Sequence, residues 1–182
     1  MWWIIGIVAV VLLILLRAAM GLIRSLRLGN EQLGKALIAL KAEDIPRLVH
    51  ECREFFAGEL GITLDSDQWK ETALSLDSAL KNLDQRRTIL RRFARPDCPY
   101  YWVLPVGAYL GDLLARHAKA AWKFNGTGSP TMEIEAGGGT MTTFPFDKVE
   151  KHVLEGDPGD LVAYVDTQIN IDQMLSRIAL PE

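Results

Sequence analysis

The chain divides by pattern into an apolar stretch and an amphipathic body. Met1 to Leu16 (MWWIIGIVAVVLLILL) carry no polar side chain, and after Arg17 a shorter run, AAMGLI, reaches Ile23. A helix rises about 1.5 Å per residue and a bilayer core is about 30 Å thick, so roughly 20 residues cross it. Residues 1–23 meet that length. Trp2 and Trp3 suit one interface as amphipathic anchors, and Arg17 lies near the other, where its long stem snorkels to the headgroups. A cleaved signal peptide fits less well, because no basic residue precedes the apolar run and Ala18, Ala19 and Met20 make a poor cleavage site. A buried core helix fits poorly as well, since the unbroken apolar run is too uniform for one face of a globular core. We predict a transmembrane anchor over 1–23, a basic juxtamembrane segment over 24–29 and a soluble domain over 30–182.

Within that domain the spacing is first helical. Asn30 is placed to cap a helix carrying Leu33, Leu37, Ile38 and Leu40. Pro46 fits the first turn of a second, with an apolar face of Leu48, Val49, Cys52, Phe55, Phe56 and Leu60, closed by Gly58 and Gly61. Asp65 or Ser66 caps a third pattern running through Trp69, Ala73, Leu76, Leu80, Leu83, Leu90 and Phe93. That pattern predicts either one long helix ending before Pro96 or two joined near Asn82. Two prolines make PDCPYYW (96–102) a loop, and Leu104 with Pro105 opens a helix bearing Val106, Tyr109, Leu110, Leu113, Leu114 and His117.

The period then shortens to two. AAWKF (120–124) reads as a strand, NGTGSP as a turn, and residues 131–144 as a hairpin through the Ala136–Gly139 connection. Phe146 to Leu154 returns to helical spacing. After GDPGD, Asp160 is placed to cap a last helix with Leu161, Val165 and Ile169, and Asn170 to Ile178 continue it or form another. The predicted class is α+β: a single transmembrane helix, a helical part over 30–95, then over 104–182 a helix, a three-stranded antiparallel meander and C-terminal helices. Trp69, Trp122, Phe55, Leu110 and Leu113 are expected in the core.

Composition narrows the function classes. With 49% hydrophobic residues the chain is not disordered. Lys and Arg number 20 against 23 Asp and Glu. Setting aside Arg17, Arg24 and Arg27 leaves 17 against 23, so the body is acidic and no nucleic-acid partner is expected. Arg17, Arg24, Arg27, Lys35 and Lys41 all follow the apolar stretch and none precedes it. Positive charge stays inside, so the N-terminus is expected outside and the body in the cytoplasm. Two cysteines without metal-ligand spacing agree with a reducing compartment.

No residue pattern predicts catalysis. His50 and Cys52 stand two apart on a helix and point away from each other, so they are not a nucleophile–base pair. His117 and His152 have no partner at metal-ligand spacing, and no cofactor is expected. Gly126, Gly128 and Gly137 to Gly139 each precede a strand, so they are turn glycines rather than a phosphate loop. Asn125-Gly126-Thr127 matches a glycosylation sequon, but the expected topology keeps it from a secretory lumen. Gly107, Ala108 and Gly111 put small residues on one helix, where they admit a close neighbour within the domain; Asp112 is then a surface or hydrogen-bonded residue.

The conspicuous charges are Arg86, Arg87, Arg91, Arg92 and Arg95. Arg87, Arg91 and Arg95 are expected to form one stripe four residues apart. At a helix C-terminus they complement its negative dipole end. As an exposed set they form a candidate surface for an anionic headgroup or an acidic protein.

From Gly107 onward, GAYLGDLL, Trp122 on a strand, a Pro-initiated strand, a glycine-rich turn, a Pro-Phe step and the Lys148–Lys151 helix (KVEK) resemble an uncharacterised bacterial domain. The resemblance covers about the last 75 residues and implies bacterial origin without an activity. The expected protein is therefore a non-catalytic accessory subunit of the bacterial inner membrane. Its partners would be the lipid bilayer and another membrane or membrane-associated protein. The alternatives are an immunity protein that neutralises a toxin and a membrane-tethered hydrolase lacking a recognisable motif.

Overall fold

The structure, a computed structural model, describes residues 28–65, 67–155, 160–171 and 174. The expected membrane anchor, including Trp2, Trp3, Arg17, Arg24 and Arg27, lies outside the described residues. Among the described residues, no helix is long and apolar enough to cross a membrane. They form an α+β fold of seven helices and a three-stranded antiparallel sheet. In order these are α1 (residues 28–39), a 3-10 turn (Ala42–Asp44), α2 (Ile45–Leu60), α3 (Trp69–Lys81), α4 (Leu83–Phe93), α5 (Val103–His117), β1 (Ala120–Lys123), β2 (Thr131–Ala136), β3 (Gly139–Thr143), α6 (Pro145–Glu155) and α7 (Asp160–Ile169).

Helix α5 is the axis. Eleven of its fifteen residues are buried, which is how a helix surrounded on all sides reads. It packs against α2, α6 and β1, while α3 lies against α4 and α7. Its small residues set two of these approaches. Gly111 faces the Trp122 indole of β1, and Gly107 faces Phe146 of α6. A Cβ at either position would collide with the facing ring, so the absence of a side chain lets a strand and a helix come close.

The sheet is a meander in the order β1-β2-β3. Trp122 opposes Met132 and Ala120 opposes Ile134; Ile134 and Met132 in turn oppose Met141 and Thr143. These residues share one face, with Ala120, Met132, Ile134 and Thr143 buried. The other face carries Lys123 and Glu133, paired at 3.1 Å, together with Glu135 and Thr142. The sheet therefore contributes one face to the core and leaves the other in water.

Helix boundaries follow identifiable chemistry. Asn82 separates α3 from α4: its side chain accepts from the backbone N–H of Asp84 and Gln85, each at 3.1 Å, so the long pattern is two helices. Gly61, at φ 64°, ends α2 in the left-handed conformation, and Ile62 N–H reaches back to the Phe56 carbonyl. Gly58 does not close that helix but lies inside it. Asn30 is not a cap either, because the chain is already helical at residue 28. At the head of α3 the N-cap is Gln68, without a side-chain cap bond; Asp65 accepts from Asp67 N–H, and its carbonyl accepts from the Thr72 hydroxyl.

The core corrects part of the burial forecast. Phe55, Leu110 and Leu113 are buried. Trp69 and Trp122 are only half-buried, packed against the margin of the core. The deeply buried indole is instead Trp102, at 2% exposure, contributed by the loop before α5. Truncating a buried aromatic of this kind typically costs about 3–5 kcal/mol.

Candidate functional site

Two places in the described domain concentrate polar chemistry. The first is a groove between α2 and the end of α4. It is open to solvent, with a volume of about 480 Å³. Its floor is aromatic: Phe55 meets Phe93 edge to face, centroids 4.9 Å apart, and Tyr101 continues the surface. The α2 bank carries Glu51, Glu54 and Glu59, and the opposite bank carries Arg92 and Arg95. Glu51 is held by Arg47 at 2.6 Å. An apolar floor between banks of opposite charge suits a ligand with an apolar centre and flanking charges.

The expected arginine stripe is reshaped. Arg86, Arg87, Arg91 and Arg92 lie on α4, but the helix ends at Phe93 and Ala94 turns to extended backbone. Arg95 is therefore off the helix. It closes a tight turn with Cys98 through two backbone hydrogen bonds, and its guanidinium lies 3.6 Å from the centre of the Tyr101 ring. At about 100° per residue, Arg87 and Arg91 still share the solvent side of α4, while Arg92 turns to the groove. Arg87 is 3.8 Å from Asp84. Among the described residues Arg86, Arg91 and Arg92 form no ion pair. Arg91 and Arg92 occupy the last turn, where cations complement the helix dipole.

The second place lies where α3, α6 and α7 meet, with Asp77 and His152 buried and Lys81, Lys148 and Asp160 partly exposed. His152 has a fully buried side chain, with Nε2 3.4 Å from Asp77 and Nδ1 3.8 Å from Asp160. Neither ring nitrogen reaches a well-formed hydrogen bond. Asp77, itself buried, takes Lys81 at 2.9 Å and faces the Leu161 N–H at the start of α7, at 3.4 Å. Lys148 bonds Asp160. Burial pulls the His152 pKa below its ordinary 6.5, against the opposing attraction of Asp77. Nearby, Tyr164 is bonded to Thr143, and burial pushes its phenol up to about 12. A closed imidazole touches no external substrate, so this cluster fastens three helices together.

The remaining candidates fall into structural places. Cys52 is buried, and burial raises its thiol far above the ordinary range, while His50 is exposed. The two do not meet. Asp112 accepts from Arg53 at 3.1 Å and Arg116 at 3.0 Å, tying α2 to α5. Gly137 and Gly138 have positive φ and sit in a strand–turn–strand hairpin. Among the described residues no cluster of three or more His, Cys, Asp or Glu could hold a metal ion.

Arg92 and Arg95 were among the candidate charges, but the groove's acidic bank and the buried cluster escaped the sequence, although Asp77 left a trace. It falls in the apolar phase of α3, between Leu76 and Leu80, where a carboxylate demands a partner. No protein-family model, curated protein or solved structure matches the chain.

Proposed function

We propose that the chain is a single-pass, membrane-anchored accessory subunit. Residues 1–23 hold it in the bacterial inner membrane, and its cytoplasmic domain binds a protein partner without catalysing a reaction. The observation that carries the binding role is the α2–α4 groove, with an aromatic floor between Glu54 and Glu59 on one side and Arg92 and Arg95 on the other. The apolar run and the basic residues after it support the anchor and its direction. Tethering confines the domain to the membrane surface and raises its effective concentration toward partners there.

The test places a photo-crosslinking residue at Ala94, exposed at the groove, in the full chain in intact cells. A crosslinked membrane protein should appear, and Glu54→Lys with Glu59→Lys should abolish the adduct. Failure to crosslink under conditions where the subunit is functional would overturn the groove assignment, and a soluble toxin as the adduct would favour the immunity protein. For topology, a cysteine before Trp2 should react with an impermeant reagent in intact cells, and Gly138→Cys should not. The reverse pattern would overturn the cytoplasmic placement.

A further inference from the structure

We infer that the end of α4 and the turn after it, carrying Arg91, Arg92 and Arg95, form a contact surface for the anionic bilayer in which the chain is anchored; this rests on the proposed anchor over residues 1–23. The placement comes from one tertiary contact. Gly29 is buried beneath Pro99 and Tyr100, and a Cβ there would come within 3.0 Å of the Tyr100 ring. The start of the described chain is thus packed on the same turn that follows α4. Five residues lie between Ile23 and Gly29, and the six Cα-to-Cα steps span at most about 20 Å even fully extended. The α4–α5 turn therefore cannot lie far from the point where the chain leaves the membrane.

The charge at that end is mostly positive, with Asp97 the acid exposed in the same turn. Arg24 and Arg27 precede Gly29 in sequence, and Arg91, Arg92 and Arg95 are exposed around the turn. Among the described residues these last three form no ion pair, and Arg95 is presented on the flat face of Tyr101. Although the body as a whole is acidic, this end presents cations to the surface nearest it. Guanidinium groups bond phosphate oxygens well, and each arginine at an anionic surface is worth roughly fivefold in association. The tether makes such weak contacts sufficient, because the surface is always within reach. Arg92 and Arg95 also form the basic bank of the groove, so an acidic protein is the rival occupant; its position is not fixed by the chain, whereas the bilayer's is.

The test uses the full chain in nanodiscs of phosphatidylcholine alone or with 30% phosphatidylglycerol. A donor dye sits on Asp97→Cys, an exposed position in the turn, and an acceptor on a lipid headgroup; the native Cys52 and Cys98 are buried. Energy transfer should rise by at least half in the anionic discs. It should return to the neutral-disc value at 0.5 M salt and in Arg91→Glu with Arg92→Glu, while Lys at both positions preserves the rise. Transfer that ignores lipid charge in correctly inserted protein would overturn the contact and leave the anchor standing. Failure of the chain to insert at all would overturn the anchor. A response to added poly-glutamate, without one to phosphatidylglycerol, would assign the surface to an acidic protein and overturn the lipid contact. The salt dependence of the unmodified arginines keeps the test decisive even if the reversed variant does not fold.

Discussion

Gly111→Ala adds one methyl group in the middle of α5 and should destabilise the domain, although alanine is the better helix former. In an open helix the change would stabilise by about 1 kcal/mol. Here the new Cβ would meet three atoms of the Trp122 ring, the farthest of them at 3.0 Å. The indole cannot simply bend away: its ring lies 5.4 Å from that of Phe146, and its strand is registered against Met132. Overpacking usually costs about 1–3 kcal/mol. Losing the packing of the aromatic altogether would cost about 3–5. Less the propensity gain, these bounds give about 0–4 kcal/mol, and with two of the contacts well inside 3.0 Å a net loss in the upper half, about 2–4, is expected. At about 2–4 °C per kcal/mol for a chain of this size, Tm should fall by about 5–15 °C. The control is the same substitution at Gly34 in α1 and Gly58 in α2, where nothing lies within 4 Å. Each should raise Tm by about 2–4 °C. The assay is thermal unfolding of the full chain in mild detergent, followed by near-UV circular dichroism. Gly111→Ala combined with Trp122→Val should melt higher than the sum of the two single effects, because the smaller side chain relieves the collision. If Gly111→Ala melts at or above wild type, as the two controls should, the account of α5 as a close-approach helix is refuted.

Four further outcomes are expected. Unfolded His152 titrates near 6.5 and the buried group lower, so the unfolded chain binds more protons and stability falls as pH drops through 6.5 toward the folded value. Urea midpoints at pH 7.5 and 5.5 should therefore differ less in His152→Gln than in wild type; Glu150, whose pKa burial raises, contributes the opposite slope to both proteins and cancels in the comparison. Asp77→Ala removes the buried carboxylate that Lys81 and the Leu161 N–H face and should cost about 3 kcal/mol in urea unfolding, whereas a loss below about 1 would deny the cluster its fastening role. Lys119 sits at φ 50° just after α5, so Lys119→Gly should raise Tm by a few degrees, and a lowered Tm would show that the turn depends on the side chain. Arg87→Glu with Arg91→Glu, on the solvent side of α4, should move Tm by less than about 3 °C, and a larger loss would mean that these charges hold the fold.

What the sequence revealed is what is local. Asn82 could be seen as a helix boundary because a cap needs only the next three residues, and Gly61 because a left-handed end favours glycine. The hairpin was legible from alternation and from glycines that tolerate positive φ. Gly107 and Gly111 announced a close neighbour, though not which one. Trp102 misled, since a loop rich in proline and tyrosine gives no periodic sign that its tryptophan enters the core. The arginine spacing also misled at its end: four-residue steps continue through Arg95, but the helix stops at Phe93. Neither the whole groove nor the His152 cluster was legible, because each assembles residues from helices far apart in the chain. His152 and Asp77 are 75 positions apart in sequence, and no pattern on either helix identifies the other partner.

The two kinds of charge in this domain lead to separable experiments. Asp77, Lys81, Lys148 and Asp160 surround a closed imidazole and join α3, α6 and α7, so their removal acts on stability. Arg91 and Arg92 lie outside that network and form no ion pair among the described residues, so their removal acts on whatever approaches from solvent. Sites that share no partner combine nearly additively, within about 0.5 kcal/mol. Gly111→Ala should therefore lower Tm while preserving the response of the Asp97→Cys label to lipid charge, measured below the melting range. Reversal of Arg91 and Arg92 should abolish that response at nearly unchanged Tm. If Gly111→Ala removed the lipid response while the domain stayed folded, the α4 turn would be coupled to the α5 packing, and neither result could be assigned to a surface alone.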